Sequence, residues 1–270
     1  MSLPAASPEH TVVVTGASAG IGAELSRELA SRGHGLTLVA RRRGRLDRLA
    51  RELTATAGVR ADVEPCDLAD PADRARLVEL LRNGERRVAG VCNNAGYGSV
   101  GTFSELPLER EVGEVRLNIE ALVELTGAFL PQMLERGEGA ILNVASTASF
   151  QPLPGMAVYA ASKAFVRSFS EAVHAEMAGS GVSVTTLCPG FTETEFASVA
   201  GAGSFEEKMP SFMVLDATHV AREAVDGMES GARTVVPGMI HKAHAFYSRF
   251  VPNALLLPIA KRLTEERLAR

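Results

Sequence analysis

Thr11-Val12-Val13-Val14-Thr15-Gly16-Ala17-Ser18-Ala19-Gly20-Ile21-Gly22 decides the fold. Its first five residues are a short β-branched run, the composition of a strand buried on both faces. Gly16, Gly20 and Gly22 then allow a tight turn and a close approach of backbone to a bound pyrophosphate. From Ile21 to Ser31, Ile21, Leu25 and Leu29 recur at the spacing of one helix face. A strand, a glycine turn and a helix in that order present unpaired N–H groups and the positive end of a helix dipole to an anion. The spacing is GxxxGxG rather than the commoner GxGxxG, but it follows the first strand, where a dinucleotide site belongs. Gly16, Ser18, Gly20, Ile21 and Gly22 are therefore expected cofactor contacts.

Outward from this stretch, strands and helices alternate. Strands are expected at Leu36 to Ala40, Asp62 to Cys66, Val88 to Cys92, Ala140 to Ala145, Val182 to Leu187 and Thr234 to Val236. Helices are expected at Leu46 to Ala57, Pro71 to Asn83, Leu108 to Glu135, Ala157 to Ala178 and Ala217 to Glu229. Such alternation implies right-handed crossovers and a parallel sheet. The expected fold is one α/β domain, a Rossmann-type doubly wound parallel sheet with helices on both faces. Its expected bounds are 11–238, with a substrate loop at 191–215. Residues 1–10 read as a disordered lead-in, and 239–270 as a C-terminal helical extension packed on the same domain.

Composition narrows the function. The 270 residues are 46% hydrophobic, enough for one sizeable core. A net charge of −4 argues against a nucleic-acid binder led by phosphate contacts. Cys66, Cys92 and Cys188 lie far apart, without disulfide or zinc spacing, and read as buried small hydrophobes. No metal site is expected. The polar, proline-containing start lacks the pattern of a signal peptide. The apolar stretch Ala254 to Ala260 is broken by Pro258 and falls short of the roughly 18 residues of a membrane span. A soluble, cytoplasmic protein is expected.

The end of the second strand selects the dinucleotide. An acid there would hold a ribose 2′-hydroxyl, but the chain reads Val39-Ala40-Arg41-Arg42-Arg43. Guanidinium groups suit a 2′-phosphate, so NADP(H) is the expected cofactor, held by Arg41 first and Arg42 second.

Tyr159 and Lys163 stand at i and i+4, one face of a helix. A free phenol, with a pKa near 10, is a poor acid at neutral pH, and an adjacent ammonium favours its ionised form. Ser146 follows a buried strand, where its hydroxyl can bond a substrate oxygen. With these residues in order, the chain resembles the short-chain dehydrogenase/reductase family from roughly Thr11 to Thr194. The resemblance rests on TGASAGIG at 15–22, Asp67 after Cys66, Asn93-Asn94-Ala95-Gly96, Asn118 on the long helix, Ser146 thirteen residues before Tyr159, Pro189-Gly190 and Thr194. It implies that Tyr159 is the acid/base and that Lys163 lowers its pKa and holds the nicotinamide ribose. Ser146 would orient the carbonyl, and Asn118 would hold a water in a proton relay. It also implies that Asp67, Asn93, Ala95, Gly96, Pro189, Gly190 and Thr194 join Tyr159 and Lys163 in the cofactor contacts. Many NADP-preferring relatives carry a basic residue just before the second glycine of the turn. This chain has Ala19, which leaves the 2′-phosphate to Arg41 or Arg42.

Specificity is expected from the loops Ser99 to Glu105, Phe150 to Met156 and Phe191 to Leu215. Phe103, Phe150, Leu153, Met156, Phe191, Phe196, Phe205, Phe212 and Met213 point to a small-molecule substrate, a hydrophobic carbonyl or alcohol: a fatty or lipid-like ketone, a sterol-like ring or a xenobiotic. The tail combines Phe246, Tyr247, Phe250, Leu255, Leu256, Leu257 and Ile259 with Lys242, Arg249, Lys261 and Arg262. Burial against the domain is its leading reading, beside a subunit contact or membrane-surface contact through 246–262. The resemblance implies a homodimer or homotetramer paired through the helices near 108–135 and 157–178. The alternative function is a dinucleotide-binding regulator or sensor without turnover, which would have little reason to keep Asn118, Ser146, Tyr159 and Lys163 together.

Overall fold

The computed structural model describes residues 3–201, 211–248, 250–252, 254, 256–258 and 261–262. The strands are β1 His10–Thr15, β2 Leu36–Ala40, β3 Ala61–Pro65, β4 Arg87–Asn93, β5 Gly139–Val144, β6 Val182–Leu187 and β7 Thr234–Val235. The helices are α1 Gly20–Ser31, α2 Arg43–Ala57, α3 Pro71–Arg82, α4 Leu108–Val115, α5 Ala121–Arg136, α6 Ala157–Glu176, α7 Phe196–Ala200, α8 Ala217–Ser230 and α9 Met239–Tyr247. All strands are parallel, in the order β3-β2-β1-β4-β5-β6-β7. This is the expected Rossmann-type sheet. Its order reverses between β1 and β4, which opens a crevice beyond their carboxyl ends.

Successive strand residues face opposite sides. Val12 and Val14 join the core under α1, α2 and α8, while Val13 joins the core under α3, α5 and α6. Leu25, Leu29, Leu46 and Leu53 are fully buried in the first layer, each worth about 1.5–3 kcal/mol in removal from water. Asp70 caps α3 by accepting from the N–H groups of Ala72 and Asp73, and Pro71 sits in the first turn, where its missing N–H costs nothing.

Three features depart from the sequence expectations. The lead-in is tied down: Leu3 is buried in the first core layer and its N–H donates to the Met228 carbonyl. Its side chain lies over Gly90 of β4, where the absence of a Cβ leaves room for it. The long helix expected at 108–135 carries one π turn, Arg116–Glu120, between α4 and α5. Such turns widen a helix locally and gather at functional sites.

The third departure is the tail, for which burial against the domain is expected. His241 and Ala245 do dock α9 on the domain, but Phe246, Tyr247 and Phe250 are 58%, 66% and 69% exposed. The docked face of α9 is small, so its aromatic face turns outward. Arg249, Leu255 and Ile259 lie outside the described residues, as does Phe205 in the loop. Among the described residues, no helix is long and apolar enough to cross a membrane.

Candidate active site

The glycine turn is built by its neighbours as much as by itself. Thr15 Oγ1 accepts from the N–H groups of both Asn94 and Ala95, and Asn94 Nδ2 donates to the Thr15 carbonyl at 2.9 Å. A Cβ on Gly22 would stand 2.4 Å from the Gly16 carbonyl oxygen, so that position admits only glycine. The first residue before α1, Ala19, supplies no side-chain cap. The leading N–H groups of α1 therefore face the crevice as an anion site. Thr194 faces Gly20 across this groove, and its hydroxyl accepts from the Phe196 N–H.

Arg42 rather than Arg41 is fastened to the turn. Its Nη2 donates to Ser18 Oγ at 3.0 Å, and its Nη1 pairs with Glu195. Arg45 pairs with the same carboxylate at 2.6 Å. The strand ends at Ala40, and Arg42, immediately before α2, is the position that turns back over Ser18.

Asp67 forms a local turn, accepting from the Ala69 N–H on one carboxylate oxygen. Asn93 is expected at the cofactor, and its side chain is a buried strut. Its Nδ2 donates to Thr126 Oγ1 and to Asn143 Oδ1, tying β4 to α5 and β5. The reason is its place as the last residue of β4, with its side chain on the α5 face.

Opposite the turn, three elements converge. Ser146 follows β5 and accepts from the Ala148 N–H at 3.1 Å, which leaves its own proton free to donate. Its hydroxyl lies where it favours the ionised form of the Tyr159 phenol. Lys163 is buried, and its Nζ donates to the Val144 carbonyl at 2.8 Å, 5.9 Å from the centre of the Tyr159 ring. Asn118 lies within the π turn. It receives the Tyr97 N–H on Oδ1 and donates from Nδ2 to the Tyr97 carbonyl and Ser162 Oγ. Phe196, from the substrate loop, packs on Tyr159 with ring centres 5.2 Å apart.

Electrostatics depart from the expectation that Lys163 lowers the phenol. Burial pushes Tyr159 up to about 12, with the Ser146 hydroxyl opposing. The charge of Glu114 adds to the rise, and the Lys163 ammonium is turned to the Val144 carbonyl. Burial also pulls Lys163 down to about 8.

Several residues that matter escaped the sequence reading. Asn94 and Thr15 brace the turn. His241 of α9 is buried against Gly190, where a Cβ would stand 2.3 Å from the imidazole ring, and bonds the Met213 carbonyl. The extension is thus fastened beside the Pro189-Gly190 segment. Gly190→Ala should force that ring aside and cost about 1–3 kcal/mol, read as a lowered midpoint of thermal unfolding. No local pattern signals His241, because its partner is 51 residues away.

The comparisons with known proteins agree with this geometry. The sequence pattern of the family described as short chain dehydrogenase matches residues 10–203. The very-long-chain 3-oxoacyl-CoA reductase of Anas platyrhynchos is 35% identical over 208 residues, 75% of this chain and 65% of that protein. The chain therefore spans somewhat less than two thirds of that relative. Sulfoacetaldehyde reductase 2 of Chromohalobacter salexigens is 38% identical over 194 residues, 71% of this chain and 76% of the relative. A solved short-chain dehydrogenase from Sphingobium yanoikuyae, in complex with NADPH, superposes with a TM-score of 0.81 at 35% identity. The match covers 88% of this chain and 91% of that one. The chain belongs to the short-chain dehydrogenase/reductase family.

Proposed function

We propose that this protein is an oxidoreductase that moves a hydride between NADP(H) and a carbonyl or alcohol group of an apolar substrate, with Tyr159 as acid/base. The observation that carries this reading is the convergence of Ser146, Tyr159 and Lys163 at one mouth of the crevice, facing the glycine turn. The residues fit the cofactor: uncapped α1 amides for the pyrophosphate, a glycine that tolerates no Cβ, and Arg42 over Ser18 for the 2′-phosphate. When bound, NADPH supplies the hydride.

The chain's own groups handle the proton. Tyr159 donates its phenolic hydrogen to the carbonyl oxygen during reduction and accepts one during oxidation. Ser146 donates to the same oxygen, since its acceptor side is engaged by Ala148. Lys163 keeps one ammonium hydrogen on Val144 and offers the others to the ribose hydroxyls. Phe196 over Tyr159 excludes water from the reacting face.

Phe103 and Phe212, in two of the loops expected to set specificity, are 55% and 67% exposed, apolar surface suited to an apolar ketone. A ketone panel with NADPH tests this: bulky apolar ketones should give the higher kcat/KM, and faster turnover of small polar ketones would refute the substrate class. Arg42→Ala should weaken NADPH binding by roughly 10–100-fold, the worth of a charge-assisted hydrogen bond, and leave NADH binding unchanged by fluorescence titration. Equal losses for both cofactors would remove Arg42 from the 2′-phosphate.

Pairing into a homodimer or homotetramer, through α4, α5 and α6, belongs to the same reading. Leu108, Val112, Val115 and Phe165 on those helices are exposed. A cytoplasmic setting suits Cys66, Cys92 and Cys188, all buried free thiols.

A further inference from the structure

Thr194, Glu195 and Phe196 are consecutive, and each meets a different part of the crevice. The Thr194 side chain lies over Gly20, at the start of α1. The Phe196 ring packs on Tyr159 with centres 5.2 Å apart. Between them, the Glu195 carboxylate is held by two guanidinium groups. Arg42 Nη1 donates to its Oε2 at 3.0 Å, and Arg45 Nη1 to its Oε1 at 2.6 Å. Those arginines stand 153 and 150 residues earlier, just after β2.

Arg42 also donates from Nε and Nη2 to Ser18 Oγ, at 3.3 and 3.0 Å. That hydroxyl accepts from the arginine and keeps its own proton for an oxyanion. A carboxylate and a phosphate are both oxyanions that fit a guanidinium fork, and two of them on one fork repel. The Arg45 contact first, and the Arg42 contact next, hold the Glu195 carboxyl below the usual carboxylate range, so it is charged at neutral pH. The side chains of Arg42, Arg45 and Glu195 are 46%, 37% and 46% exposed. The carboxylate can therefore exchange the arginines for water without opening the core.

We propose that Glu195 tempers the preference for NADP(H) by competing with the 2′-phosphate for Arg42 and Arg45, and that a 2′-phosphate taking those arginines loosens the stretch that covers Tyr159. This competition rests on the reading of Arg42 as the 2′-phosphate group. A cofactor without that phosphate brings no oxyanion to exchange with the carboxylate. A cofactor with it must displace Glu195, which offsets part of its attraction to the arginines. The far end of α7 stays fastened, because the Val100 N–H donates to the Ala200 carbonyl and Arg110 Nη2 to the Val199 carbonyl. The loosening therefore falls on the Glu195 end, next to Phe196. The presence of a 2′-phosphate is in this way passed to the ring over the acid.

A carboxylate that only braced the arginines would help the phosphate to bind, so the two roles differ in sign. Glu195→Gln separates them, since it keeps the shape and removes the charge. The variant should also keep α7. The Glu195 carbonyl accepts from the Val199 N–H and from Ser198 Oγ, and neither bond uses the Glu195 side chain.

Fluorescence titration of NADPH and NADH on the wild type, Glu195→Gln, Arg42→Ala and the double variant tests the competition. Glu195→Gln should tighten NADPH binding about three- to tenfold, the equivalent of two exposed ion pairs, and leave NADH within about twofold. The gain should shrink in the Arg42→Ala background, because the two side chains act on one interaction. Hydrogen exchange of the wild-type chain tests the loosening. Adenosine 2′,5′-bisphosphate, which carries no nicotinamide, should speed exchange of the α7 amides, and adenosine 5′-phosphate should not. Unchanged or weaker NADPH binding in Glu195→Gln overturns the proposal, as does equal tightening of NADPH and NADH. Equal α7 exchange with the two adenosine probes overturns the link to Tyr159, a result that needs no variant. If Arg42→Ala binds NADPH as the wild type does, the Arg42 reading fails and the proposal with it. If Arg42→Ala binds it more weakly and Glu195→Gln gains nothing, the proposal fails alone.

Discussion

Tyr159→Phe should lower kcat by about 10²–10⁴-fold, the range a positioned general acid supplies, while NADPH still binds. On the proposed reading, the phenol supplies the proton that passes to the reacting oxygen. Ser146 can polarise that oxygen but cannot release a proton easily, and Lys163 is turned to Val144. Phenylalanine keeps the ring that packs on Phe196, so the fold should survive and the loss should fall on chemistry. Steady-state kinetics and fluorescence titration of NADPH on the same sample separate the two. If turnover stays within threefold of wild type, Tyr159 is not the acid. If the wild type itself turns nothing over, the regulator reading gains, and Tyr159→Phe should then leave its function untouched.

Arg74→Ala should cost about 3 kcal/mol, the lower end for breaking a buried charged network, and lower the thermal midpoint by about 6–10 °C. Arg74 has no exposed surface, and it is the largest fully buried side chain among the described residues. Its Nη2 donates to Glu120, its Nε to Glu124 at 2.7 Å, and its Nη1 to the Leu68 carbonyl at 2.9 Å. One guanidinium thus joins α3, the loop after β3 and the π turn that presents Asn118. The glutamates are about half exposed and recover water when the cation goes, which keeps the loss below the upper end of the range. Arg74→Lys keeps the charge but not the planar fork, and should fall between wild type and Arg74→Ala. Differential scanning calorimetry checks both. A loss under 1 kcal/mol would mean that the network holds no net stability.

Much of this was readable from residue order. The β-branched run Thr11 to Thr15, the glycines after it and the helical spacing of Leu25 and Leu29 are local features, and local rules resolve them. Tyr159 and Lys163 share a face because helices repeat every 3.6 residues. Other residues depend on partners distant in sequence. Arg42 outranks Arg41 only because Ser18 stands 24 residues before it, at the end of a different strand. The side-chain amide of Asn93 is spent on Thr126 and Asn143, from two other elements.

By itself, the sequence determined the parallel α/β sheet, the glycine turn after β1 and the shared helix face of Tyr159 and Lys163, because each is set by side chains a few residues apart. Tertiary structure decided which arginine is fastened to the glycine turn, which way the tail's aromatics face, and what sets the charges around Tyr159. Those depend on burial and on groups brought together from separate elements, and desolvation has no signature in residue order.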